Sequence, residues 1–181
     1  MIKKFSRWLL YKRLGWTADV NVELPKKCVI CLAPHTSNWD FVYSMLYGKA
    51  EGLKSNFLMK KEWFFWPLGP IFRKLGGIPV YRNKKSSMTD NLAETAMREK
   101  SFRLAITPEG TRKANPEWKR GFYYIALKAG IPILLYGLDF ERKLIYCHRS
   151  FVPAGDVEKD MQEIKEYYKD FKGKKPEQFA Y

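Results

Sequence analysis

A chain of 181 residues, 46% of them hydrophobic, can close a core without a metal or disulfide staple, which excludes a disordered tail protein. Its 33 Lys and Arg against 19 Asp and Glu leave a formal charge of +14, and aromatics reach 16%. So basic a chain suits an anionic partner (nucleic acid, acidic lipid, or an acidic carrier), and composition alone does not choose among them.

The charge is unevenly placed. Residues 1–16 hold five basic groups and no acid, and residues 54–85 hold eight with only Glu62 opposing them. Residues 156–181, with six lysines and seven acids, are nearly neutral, so the partner is expected at the N-terminal half. No apolar run approaches the roughly 18 residues of a spanning helix. The short run Trp8–Tyr11 lacks the cleavage site of a secretory signal.

Residues 2–14 read as a short amphipathic helix, with Ile2, Phe5, Trp8 and Leu9 at near-helical spacing and bases between them. Such a helix either docks on its own core or lies in a membrane interface through Phe5 and Trp8. Val29–Ala33 is a strand, Pro34–Asn38 a loop, and residues 38–50 a helix capped by Ser37 or Asn38. Cys28-x2-Cys31, with Cys147-His148 far downstream, has zinc-like spacing. A buried strand turns residues three apart to opposite faces, however, so no metal site is expected. Three cysteines cannot pair completely, which favours a reducing cytoplasm. Phe57–Met59 and Ile78–Tyr81 are strands, and between them residues 62–75 mix helical signals with Pro67, Gly69 and Pro70. There Trp63, Phe64, Phe65 and Trp66 are flanked by Lys60, Lys61, Arg73 and Lys74. Aromatics bracketed by bases predict an interfacial loop against an anionic membrane surface, where each base adds ~1 kcal/mol. An acidic acyl carrier protein could use the same bases.

Ser87–Asp90 reads as a capping box opening a helix to residue 99. Phe102–Thr107 is a strand, and residues 117–129 a helix closed by Gly130, with Trp118, Phe122, Ile125 and Ala126 on its apolar face. Ile131–Leu138 and Leu144–Cys147 are strands. Asp156 caps a last helix over 156–172, its stripe Val157, Met161, Ile164, Tyr168 and Phe171. Strands alternating with helices predict a single α/β domain over 1–181, built on a mostly parallel central sheet flanked by helices.

Two histidines are present. His148 has only Glu141 as an acidic neighbour and reads as an ordinary histidine. His35 follows a buried strand in the loop entering a helix, where α/β folds place their ligands. Asp40, in the first turn of that helix, can fold back on the imidazole, fix its tautomer and leave the other nitrogen basic. Ser37 lacks a nucleophile elbow and reads as a cap. The hexapeptide Thr107-Pro-Glu-Gly-Thr-Arg112 predicts a turn whose N–H groups, hydroxyl and guanidinium suit a phosphate. Arg82 ends the strand before it.

Taken in order, His35-Thr-Ser-Asn-Trp-Asp40, Gly77-Ile-Pro-Val-Tyr-Arg82, Pro108-Glu-Gly-Thr-Arg112 and Ala129-Gly-Ile-Pro-Ile133 resemble the glycerophospholipid acyltransferase family, nearest the bacterial 1-acylglycerol-3-phosphate acyltransferases. The likeness spans residues 28–140. It implies His35 as general base on an acceptor hydroxyl attacking an acyl thioester, and Asp40 as its support. Arg82, Glu109, Gly110, Thr111 and Arg112 would hold the acceptor's phosphate or glycerol, and Ala129–Ile133 would lie along the acyl donor or in the core. The resemblance implies no cofactor or metal, acyl-CoA or acyl-acyl carrier protein as co-substrate, and a lysophospholipid acceptor. The chain is short for the family and has no spanning run, so a peripheral enzyme on the cytoplasmic face of the membrane is expected, reaching the lipid through residues 2–14 and 63–72. Family members often carry other residues at Pro34, Thr107 and Lys113. Acceptor identity is therefore open, an amino-acid lysolipid included. Rival classes are a basic nucleic-acid-binding module, for which no motif is present, and a phosphoester hydrolase, which lacks a metal-holding carboxylate cluster. No nucleic acid is expected as partner.

Overall fold

The structure is a computed structural model that describes residues 1–80 and 85–181. Its centre is β2 (Lys27–Ala33), whose near-continuous apolar sequence is what a strand covered on both faces requires. Val29, Cys31 and Ala33 point into one apolar cluster, and Cys28 points into another on the opposite face. The two thiols therefore diverge, as the strand reading predicts, and burial pushes the Cys28 thiol up to about 11.

The remaining strands are β1 (Thr17–Val20), β3 (Asn56–Lys60), β4 (Gly77–Val80), β5 (Phe102–Ile106), β6 (Ile133–Asp139), β7 (Leu144–Cys147) and β8 (Ser150–Phe151). They form one sheet in the order β1-β7-β6-β2-β5-β3-β4, with β8 beside β6. Pairing is parallel throughout the centre, and among the described residues only the β6–β7 and β6–β8 pairs are antiparallel. The expected mostly parallel sheet is present. β1 and β8 are additions to it.

Helices α4 (Lys85–Arg98), α5 (Gly121–Ala129) and α6 (Val157–Tyr167) cover one face, burying Leu92, Ala96, Phe122, Ile125, Met161 and Ile164 against β2, β5 and β6. Ile131 and Ile133 lie in the same cluster, so the Ala129–Ile133 block is core. The other face is covered by α2 (Asn38–Glu51) and by α1 (Ile2–Arg7), which continues as a π-helical turn over Trp8–Arg13. Leu10, Trp16, Tyr47 and Ala50 form that layer. Arg7 and Tyr11 both bond the Glu51 carboxylate, so the first helix docks on α2 by one side only.

Several boundaries differ from the sequence expectation. α4 already begins at Lys85, since neither Gly nor Pro interrupts the chain up to Arg98. α5 starts at Gly121 rather than 117, because the Lys119 N–H turns back to the Pro108 carbonyl at 2.7 Å instead of entering a helix. Trp118 is consequently a loop residue, packed on Tyr168 and Phe179. Within 62–75 only Leu68–Lys74 is α-helical (α3), with Pro67 as its N-cap and Gly69 and Pro70 in its first turn. The last helix ends at Tyr167. Tyr81 and Arg82, assigned to the end of a strand and to the acceptor site, lie outside the described residues.

Candidate active site

β2 and β5 are parallel neighbours, so the loops leaving Ala33 and Ile106 emerge side by side at the carboxyl edge of the sheet, where open α/β sheets bind ligands. The first loop carries His35 and the second carries Pro108–Arg112. Their proximity follows from topology, since 74 residues separate His35 from Glu109.

Ser37 is the N-cap of α2, its hydroxyl accepting from the Trp39 N–H at 3.2 Å. Asp40, at the third helical position, completes a capping box by accepting from the Ser37 N–H at 2.8 Å. The same oxygen, Oδ2, accepts from the Thr36 N–H at 2.7 Å and lies 3.1 Å from Nδ1 of His35. The cap that starts the helix is thus also what brings the carboxylate to the imidazole. With the proton assigned to Nδ1 by that bond, Nε2 of the neutral ring is left as the free base. The His35 side chain is 19% exposed and Asp40 6%, so the base is reachable and its orienting group is not.

The second loop is a turn closed by the Gly110 N–H on the Thr107 carbonyl at 3.3 Å, with Gly110 in the left-handed region at φ 64°. Asn115 braces it by donating to the Glu109 carbonyl at 3.0 Å. Arg112 is exposed, and its Nη1 bonds Oδ1 of Asn38 in the first turn of α2. This puts the guanidinium beside the loop of the base. Asn38 entered the sequence reading only as a cap. Thr111 accepts from the Lys113 N–H at 3.3 Å.

Glu109, expected at the acceptor's phosphate or glycerol portion, does not face outward with Arg112. It is 3% exposed, turned inward, and its Oε1 accepts from the backbone N–H of His35 at 2.7 Å. Its side chain holds the His35 loop from below instead of facing solvent with Arg112. Oε2, like Oδ1 of Asp40, is buried without a hydrogen-bond partner among the described residues. Burial pushes the Glu109 carboxyl up from 4.5 to about 7, against the smaller opposing effect of its backbone hydrogen bonds. A carboxyl whose folded pKa exceeds its unfolded one favours folding while protonated. That contribution is complete below pH 4.5 and is lost as pH rises through about 7. Stability should fall across this window by up to ~3 kcal/mol, and the melting temperature with it. Glu109→Gln, which cannot ionise, should flatten that slope; an equal slope in both proteins would show that Glu109 does not titrate there.

His148 also has a carboxylate partner, Asp19 of β1, at 2.7 Å, rather than Glu141. Because β7 runs antiparallel to β6, this pair lies at the opposite edge of the sheet from His35.

Of the expected membrane residues, Phe5, Trp8, Trp63, Phe65 and Trp66 are exposed, Trp66 most fully at 85%. Phe64 is not. It is half-buried, packs on Phe72, lies under the Arg73 guanidinium and, with Phe57, flanks Gly77, so it anchors the loop rather than facing outward. Phe57 also meets Phe41 of α2, which sets this loop and the first helix on the same side of the sheet. Among the described residues, no helix is long and apolar enough to cross a membrane.

A family model described as Acyltransferase matches residues 19–135. Among curated proteins no significant match to the sequence was found. Among solved structures, the crystal structure of the 1-acyl-sn-glycerophosphate (LPA) acyltransferase PlsC from Thermotoga maritima is similar. It aligns over 95% of this chain and 80% of that one, with a TM-score of 0.56 at 18% identity, a likeness of fold.

Proposed function

The chain belongs to the acyltransferase family, and on that premise we propose that it moves a fatty acyl group from an acyl thioester to the hydroxyl of a lysophospholipid-like acceptor, 1-acylglycerol-3-phosphate first among the candidates. The observation that carries this reading is the His35–Asp40 contact at 3.1 Å beside the turn bearing Arg112. Nε2 of His35 takes the proton of the acceptor hydroxyl as its oxygen adds to the thioester carbonyl carbon. Collapse of the tetrahedral adduct breaks the C–S bond, and the departing thiolate recovers the proton from the imidazolium. Asp40 steadies the positive ring in between. Arg112, with Arg82, binds the acceptor's phosphate, where a guanidinium gives paired hydrogen bonds.

The acceptor is a lipid, and the acyl chain it receives is apolar. The exposed faces of the first helix and of residues 63–66, with Lys60, Lys61, Arg73 and Lys74, therefore dock the enzyme peripherally on an anionic, cytoplasmic leaflet. The direct test presents acyl-CoA or acyl-acyl carrier protein with a panel of lysolipids on anionic vesicles, products being read by mass spectrometry. A diacyl product from lysophosphatidic acid is expected, and a product from another lysolipid alone would reassign the acceptor. Absence of product with both donors across the panel would refute the reading. For docking, Trp8→Ser with Trp66→Ser should lower partition into sedimented anionic vesicles by about ten-fold or more, each indole being worth ~1–2 kcal/mol of apolar burial. Unchanged partition would move the membrane surface elsewhere.

A further inference from the structure

The chain beyond α6 crosses the sheet edge and returns to the two loops of the site, far outside the 19–135 span that the family model matches. Its path is fixed at each step. The Phe171 ring sits over Gly137 of β6, where any Cβ would come within 2.2 Å of it. The Phe140 N–H donates to the Lys172 carbonyl at 2.8 Å, and the Lys172 N–H to the buried Asp139 carboxylate at 3.1 Å. Gly173 then presses on Thr36, so closely that a Cβ there would stand 2.6 Å from the Thr36 hydroxyl. That hydroxyl accepts from the Lys175 N–H at 3.2 Å.

Gln178 follows in a short 3-10 turn, Pro176–Gln178. With its amide nitrogen turned toward them, it donates to the carbonyl of Arg112 at 2.5 Å and to that of Thr36 at 3.1 Å. Trp118 holds the end of the segment by donating to the Ala180 carbonyl at 3.0 Å. One side-chain amide thus joins the residue after the base to the residue that carries the guanidinium.

We infer that residues 172–181 form a clamp in which Gln178 is a positioning residue, fixing the distance between His35 and the acceptor-binding Arg112. The inference rests on the roles given to His35 and Arg112 above. A phosphate held by Arg112 and a hydroxyl presented to His35 belong to one acceptor molecule, so the spacing of the two loops sets the angle of attack. Loosening that spacing leaves the guanidinium able to bind while the hydroxyl wanders from Nε2. Displacement of about 1 Å can cost up to ~10²-fold in rate.

The test compares wild type, Gln178→Ala and Gln178→Glu as full chains. Glutamate keeps the shape but, once ionised, turns two donors into an acceptor facing two carbonyl oxygens. Expected are a kcat lower by about ten-fold or more with acceptor KM changed by less than about three-fold. Backbone hydrogen exchange should accelerate at residues 35–38 and 109–113 and stay unchanged in β6. Wild-type kcat in both variants, with unaltered exchange in the two loops, would overturn the clamp. So would faster exchange across the whole sheet, since that describes a merely structural tail. His35→Ala run alongside separates the two readings. If it retains full activity the assigned chemistry fails, and the exchange data still judge the clamp without turnover.

Discussion

His35→Ala is expected to reduce kcat/KM for acyl transfer by about 10³-fold or more, the upper range of what a positioned general base contributes. The loss should fall on the chemical step. Among the described residues the ring makes a single polar contact, with Asp40, whereas the loop is held through groups the substitution leaves in place. These are the His35 N–H on Glu109, the Thr36 and Ser37 N–H groups on Asp40, and the Lys175 N–H on Thr36. A partly exposed ring adds little to the core, so the melting temperature should move by no more than about 3 °C. His148→Ala is the matched control. It removes the other histidine–carboxylate pair, at the far edge of the sheet, and should leave turnover unaltered. If His35→Ala kept activity within ten-fold of wild type, another group would have to accept the hydroxyl proton.

The part of this site legible in the sequence is the part that local structure builds. A histidine five residues before the third position of a capped helix meets the side chain there because the capping box curls that side chain back over the entering loop. The five-residue interval between His35 and Asp40 therefore encodes a contact. The buried run of β2 and the Gly110 turn are legible for the same reason, since each is decided by its own residues. What the sequence did not disclose depends on partners brought by topology. β1 is mostly exposed and carries no strong strand pattern; it exists because it pairs with β7 more than a hundred residues later, and it brings Asp19 to His148. Glu109 looks like one more polar group in a phosphate-binding turn until its carboxyl is found under the backbone of His35. Trp118 has helical spacing with Phe122, yet its N–H is drawn to Pro116 and its indole to Ala180. Residues 172–181 offer no periodicity at all, only a set of contacts that need both loops already in place.

Asp40→Asn separates the two tasks that one carboxylate performs. Its Oδ2 receives three N–H groups, from Thr36, Ser37 and the His35 ring. Asparagine can set its carbonyl oxygen in that position and keep both backbone bonds, so α2 retains its cap and the stability loss should stay near ~1 kcal/mol. The amide nitrogen then occupies the buried site of Oδ1, which has no partner among the described residues, and this adds to the cost. Catalysis should suffer far more. A neutral amide cannot offset the charge of the imidazolium that forms as the hydroxyl proton is taken. In the flipped orientation, moreover, its N–H would face Nδ1 and force the proton onto Nε2, removing the base altogether. A fall in kcat of about 10²- to 10³-fold with little change in acceptor KM is the expected result. Asp40→Ala should add a larger drop in melting temperature, since it removes the cap as well. Measuring kcat, KM and melting temperature for both variants decides the matter. If Asp40→Asn lost stability as Asp40→Ala does while keeping more than a third of wild-type turnover, Asp40 would be a helix cap that happens to touch a histidine, and the base would have to be oriented by something else.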